Sequence, residues 1–152
     1  MDIRRMRGDE IEGVVRLWRR SREDSQPWLE ARMGHTPEDD LRYFTDTIAR
    51  ENDVWVAAEQ EVLGFLGIQG ERLGWLYVDP AAQRRGIGTA LLDRAKALSP
   101  AGLMLFTHQR NERARAFYER RGFRAVLFGT SPPPESEPDV QYRWDPPRPV
   151  GR

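Results

Sequence analysis

Between residues 54 and 78 the sequence reads as three strands in succession, at 54–58, 62–68 and 72–78, with short turns at Gln60-Glu61 and Gln69-Gly70-Glu71. Strands at this spacing pair as hairpins, so the segment commits the chain to an antiparallel meander. Gly64 and Gly67 inside the second strand point to a bulge or a close backbone approach.

On either side the period is helical. Residues 9–19 place Ile11, Val14, Val15 and Trp18 on one stripe. A polar loop through Gln26-Pro27-Trp28 is expected next. Thr36-Pro37-Glu38-Asp39 then has the form of a helix start, with Thr as N-cap, Pro in the first position and acids in the first turn. Leu41, Phe44 and Ile48 would be its buried face. Beyond the meander, residues 86–98 form an amphipathic pattern that Ser99-Pro100-Ala101-Gly102 ends. A buried strand at 103–107 follows, then a helix at 112–121 stopped by Gly122. A strand at 124–128, a proline-rich loop and a strand at 139–144 complete the order, and a first strand at 2–6 fits as well. The expectation is an α/β (α+β) single domain, residues 1–145, built on one central sheet, with a flexible tail at 146–152.

Composition narrows the function classes. Lys plus Arg and Asp plus Glu balance at 24 each, so no net field draws the chain to nucleic acid or membrane. Acids interleave with the arginines, which argues against a nucleic-acid binder. Lys96 is the sole lysine, as expected from codon bias in a GC-rich genome. Without cysteine there is no disulfide framework, thiol nucleophile or thiolate metal site, and no metal is expected. The N-terminal residues lack the apolar core of a signal peptide, and no apolar run nears a membrane span, so a cytoplasmic protein is expected.

The chemistry concentrates at a strand-to-helix junction, Leu76-Tyr77-Val78-Asp79-Pro80 followed by Gln83-Arg84-Arg85-Gly86-Ile87-Gly88-Thr89. The first turn of a helix leaves N–H groups unpaired and carries partial positive charge, and glycines let a phosphate approach the backbone. The run suits a pyrophosphate. It lacks the Gly-Lys-Ser/Thr ending of a Walker loop and the spacing of a dinucleotide fingerprint. A second stretch, Asn111 to Phe123, is an amphipathic helix. Phe117 and Phe123 suit its core, and Tyr118 offers both a proton and an apolar body.

Gln83-x-x-Gly86-x-Gly88 resembles the first signature of the GCN5-related N-acetyltransferase (GNAT) superfamily. Asn111-x-x-Ala114-x-x-Phe117-Tyr118-Glu119-x-x-Gly122-Phe123 is similar to its second. The resemblance implies a mixed, mostly antiparallel central sheet flanked by helices, and an enzyme that moves an acetyl group from acetyl-CoA to a primary amine of a small molecule or peptide by direct attack. It implies that Leu76, Tyr77 and Val78 bond the pantetheine arm and that Gln83, Arg84, Arg85, Gly86, Ile87, Gly88 and Thr89 hold the pyrophosphate. Asn111 and Phe117 would also contact coenzyme A, and Tyr118 would protonate the leaving thiolate.

Relatives often carry an acid near the positions of Gly74 and Trp75, and this chain does not. Glu71, His108 or a water chain is left as general base; an imidazole titrates near neutrality, which suits His108 to the task. Trp28, His35 and Trp75 are the acceptor-site candidates, with Trp18, Arg22, Phe44 and Trp144 near them in kind. The alternative reading is a catalytically silent acyl-CoA-binding module. A homodimer is an open option, and the acceptor is not legible.

Overall fold

The computed structural model describes residues 1–148; of the tail expected at 146–152, residues 149–152 lie outside the described residues. Seven strands form one sheet in the order β1-β2-β3-β4-β5-β7-β6. They are β1 (Asp2–Arg5), β2 (Asp53–Ala58), β3 (Val62–Gln69), β4 (Arg72–Val78), β5 (Leu103–His108), β6 (Arg124–Thr130) and β7 (Pro138–Trp144). The meander β2-β3-β4 is antiparallel as its spacing requires, β1 adds to its edge, and β5-β7-β6 forms a second antiparallel group.

Helices cover both faces. On one lie α1 (Ile11–Ser25), α2 (Pro27–Met33), α3 (Pro37–Tyr43), a π-helical stretch (Phe44–Ile48) and α4 (Ala49–Glu51). Val14, Val15, Leu17, Trp18, Phe44 and Ile48 there meet Val54, Val56, Ala58 and Phe65 of the sheet. On the other face, Ile87, Leu91, Leu92 and Ala95 of α5 (Ile87–Leu98) and Tyr118 of α6 (Glu112–Arg120) meet Leu66, Ile68, Leu73, Leu103, Leu105, Val140 and Tyr142. At about 1.5–3 kcal/mol per fully buried large apolar side chain, these two interfaces dominate stability.

Several local expectations need correction. The segment at Pro27-Trp28 is helical, because Pro27 occupies the first position of α2 and Gly34 closes it in a left-handed conformation (φ 66°). α1 runs six residues past Arg19, its last turn held by ionic contacts rather than apolar periodicity. There Arg22 is buried: its guanidinium stacks on Trp18 at 4.1 Å and donates to both oxygens of Asp40 at 2.8 and 2.9 Å. Leu41, expected on the buried face of its helix, is exposed. Gly64 and Gly67 are close approaches: a Cβ would meet the Tyr77 carbonyl oxygen at 2.9 Å in the first case and Trp75 Cδ1 at 2.8 Å in the second. The bulges fall beside them, at Leu63 and Gly74, which the pairing registers skip. Lys96 donates to the Arg121 carbonyl at 2.8 Å, with its ammonium 4.9 Å from the Trp144 ring, and burial lowers its pKa.

Candidate active site

The bulge at Gly74 changes which way β4 faces. Side chains alternate along a strand, so Leu73 and Trp75 would ordinarily share a face. The extra residue breaks the alternation. Leu73 packs with α5 and α6, whereas Trp75 and Tyr77 turn to the side of α1 and α3. Leu76 and Val78 take the α5 face instead.

β4 also parts from its other neighbour. It pairs in parallel with β5 at Arg72–Met104, and Met104 N donates to the Glu71 carbonyl at 2.8 Å. From that closed end the two strands diverge, and a cavity of about 610 Å³ lies between them, lined by Leu73 to Tyr77 on one side and Leu105 to His108 on the other. Asp79 N–H is spent on the Leu63 carbonyl of β3 at 2.8 Å. By alternation the N–H groups of Val78 and Leu76 point the other way, into the gap. A strand edge with unspent donors can hold an extended ligand as a further strand would be held.

The gap leads to the start of α5. Asp79 accepts from Ala81 N at 3.1 Å and begins the short turn Pro80–Ala82. Arg84 (φ 65°) and Gly86 (φ 78°) both adopt the left-handed conformation, and Gly86 caps the helix. Two such residues just ahead of a helix curve its free N–H groups into an anion-binding concavity. A Cβ on Gly86 would meet nothing within 4 Å, so the approach is open. One on Gly88 would stand 3.4 Å from the Phe117 ring, which closes the floor. Arg85 pairs with Glu59 at 2.8 Å, Gln83 accepts from Arg113 at 2.6 Å, and Thr89 accepts from Arg121 at 2.8 Å; Ile87 is core. Neither Arg84 nor Arg85 is buried, so their charge is screened.

Tyr118, Asn111 and His108 line the cavity together. Asn111 caps α6, accepting from Ala114 N at 3.1 Å. Tyr118 is buried against Phe117, Phe123 and Tyr142. Burial, helped by the nearby Tyr77 phenol, holds its hydroxyl above the ordinary phenol range. His108 ends β5; its Nδ1 is buried without a hydrogen-bond partner among the described residues, and Glu135 Oε1 lies 4.0 Å away.

Trp75 is the acceptor candidate that the structure brings into the cavity, edge-on to Trp18 (5.9 Å) and Tyr43 (6.1 Å). The others lie off its lining. Glu71 sits at the β3–β4 turn, half exposed, in an ion pair with Arg143 at 2.7 Å. His35 is exposed after α2, and Trp28 lies under Arg110 at 5.3 Å. Trp144 packs by Lys96 and Gly122. The cavity gains residues that periodicity did not single out: Tyr43 and Glu51 from the α3–α4 segment, Arg72 from β4, Glu135 from the proline-rich loop and Asp139 from β7. Packing of the α3–α4 segment on the sheet brings in Tyr43 and Glu51, the pairing of β5, β7 and β6 brings in Glu135 and Asp139, and none of these four carries a local signal.

A family model described as an acetyltransferase (GNAT) domain matches residues 50–125. Over 128 residues the chain is 31% identical to the peptidyl-lysine N-acetyltransferase YjaB of Salmonella typhimurium, covering 83% of this chain and 85% of that protein. The chain belongs to the GNAT acetyltransferase family. The solution structure of apo YjaB from Escherichia coli matches at a TM-score of 0.76 and 25% identity over 99% of this chain and 98% of that one. The PaiA N-acetyltransferase of Thermoplasma acidophilum, solved with coenzyme A, shares the fold at a TM-score of 0.68 and 20% identity, covering 95% and 98%. This GNAT protein is an acetyl-CoA-dependent N-acetyltransferase that transfers an acetyl group to an amine. No helix among the described residues of this GNAT chain is long and apolar enough to cross a membrane.

Proposed function

We propose that the acceptor is the side-chain amine of a lysine in a peptide or protein. The observation that carries this reading is the charge of the cavity: Glu51, Glu135 and Asp139 line it against the one guanidinium of Arg72 among the described residues. Such a rim attracts an ammonium group. Trp75 and Tyr43 offer ring surface to a butyl stem. Kinship with proteins named peptidyl-lysine N-acetyltransferases supports the same choice.

In this reading the edge of β4 from Leu76 to Val78 and the side chain of Asn111 hold the pantetheine arm. The amides from Gln83 to Thr89 hold the pyrophosphate, with Phe117 as floor. Bound acetyl-CoA supplies an activated thioester. The lysine ammonium gives one proton to His108, and the free amine attacks the carbonyl carbon. The oxyanion that develops takes a hydrogen bond from Val78 N–H. As the C–N bond forms and the C–S bond breaks, Tyr118 donates to the sulfur, and its proton is replaced from the acylated nitrogen. The products are an N-acetyl-lysine and a free thiol. Glu71, Trp28 and His35 take no part in this scheme. The domain spans residues 1–145, acts in the cytoplasm, and pairs with a second copy through the free edge of β6.

Purified protein with acetyl-CoA, assayed by thiol release against free lysine, lysine peptides with blocked N-termini and lysine-free peptides with free N-termini, tests the acceptor. Blocked lysine peptides are expected to react fastest, with the acetyl group on Nζ by mass spectrometry. Preference for the free α-amine would overturn the reading.

A further inference from the structure

We propose that Glu135, on the loop between β6 and β7, is the positioning residue of a carboxylate–imidazole pair, orienting His108 and stabilising its protonated form while it accepts the acceptor's proton. This rests on the reading of His108 as base and adds a residue to it.

The geometry carries the proposal. Among the described residues His108 Nδ1 is buried and without a hydrogen-bond partner, and the carboxylate within 4.0 Å of it is Glu135. A buried ring nitrogen left unpaired is destabilising, which favours closure of the contact. Catalytic hydrogen bonds are often long in unliganded enzymes and shorten when substrate binds. With Nδ1 turned to Glu135, Nε2 is left to take a proton, and the carboxylate fixes which nitrogen does so. Glu135 is itself placed. Arg32 of α2 donates to its carbonyl at 2.7 Å and to Glu137 at 2.9 Å, which ties the loop to the helical face. The loop also closes on itself through Ser131 N–H to the Glu137 carbonyl at 2.8 Å.

Other charges share the site. Asp139 stands opposite His108 on β7, Glu51 and Arg72 line the cavity from α4 and β4, Tyr118 lies on α6, and Arg32 and Glu137 stand behind the loop. Among the described residues none of these carboxylates comes as near to the imidazole as Glu135. Glu135 removes no proton from substrate; it acts through His108.

The test is Glu135→Gln, which keeps shape and removes charge. The chain has two histidines, so ring resonances can be followed individually by NMR, and exposed His35 serves as reference for fold and pH. An opposite charge nearby favours the charged form of a titratable group, so its removal is expected to move the pH response of the His108 ring resonances to lower pH. His35 should not move. With a lysine peptide, kcat should fall at least about tenfold, within what one acid–base group supplies. Its acid limb should move to lower pH, and the KM for the peptide, which Glu51 and Asp139 still attract, should rise by a smaller factor than kcat falls. An unchanged His108 titration overturns the pair. A raised KM with an unmoved acid limb also overturns it and makes Glu135 an acceptor-binding carboxylate. If wild-type protein turned over no lysine peptide, the acceptor reading would fail, while the ring titration would still decide whether the pair exists.

Discussion

Tyr118 is a phenol in a dry place. Burial raises its pKa, so it keeps its proton at every pH at which the enzyme would be assayed. In the proposed role, the same desolvation raises the pKa of a thiol leaving beside it, so donor and acceptor would move together and the hydrogen bond between them would stay useful. In Tyr118→Phe the ring contacts with Phe117, Phe123 and Tyr142 persist while the hydroxyl goes. We expect kcat to fall by roughly 10²–10⁴ with little change in acetyl-CoA affinity, and the melting temperature to stay within a few degrees. In the wild type no descending limb of kcat should appear below about pH 10, the ordinary phenol value. Full turnover in the variant would remove Tyr118 from the proton path.

At the scale of elements, the paired strands β3 and β4 shape one wall of the cavity. Gly67 is opposite Trp75, and a Cβ there would meet Trp75 Cδ1 at 2.8 Å, closer than packed atoms allow. Gly67→Ala should therefore push the indole out of its place between Trp18 and Tyr43. The expected outcome is a raised KM for the amine, an unchanged KM for acetyl-CoA and altered tryptophan fluorescence. Equal effects on both substrates would mean that Trp75 is only core. This wall was half legible in the sequence. Strand period fixes β4 to the residue, and the glycine-bearing start of α5 marks the strand-to-helix junction from local chemistry alone. Gly74 carries a local signal as well, since an isolated glycine inside a strand marks a bulge. That bulge decides which face Trp75 takes. Glu135 and Asp139 could not be read at all: they reach the cavity because β7 lies between β5 and β6, a long-range pairing with no trace in local periodicity. α2 is hidden in the sequence because Gln26-Pro27 has turn composition, while Pro at a first helical position is equally at home.

Over the whole molecule the two ends of the sheet differ. β1 is four residues long, with Asp2, Arg4 and Arg5 to keep other strands away. β6 is seven residues long and exposed throughout, with Val126, Leu127 and Phe128 at 45%, 59% and 56% exposure. A free, apolar edge of this kind invites another strand. Sedimentation of the wild type should give a dimer, and Leu127→Arg a monomer whose turnover per chain is unchanged. A monomeric wild type at tens of micromolar would rule out the β6 pairing. The surface as a whole is furnished with arginine, and its single lysine is docked on the Arg121 carbonyl. With the proposed lysine acceptor, the enzyme has thereby almost nothing on itself to acetylate. Guanidinium groups are far too basic to attack a thioester, so its surface charge persists in a pool of acetyl-CoA that would slowly neutralise a lysine-rich neighbour.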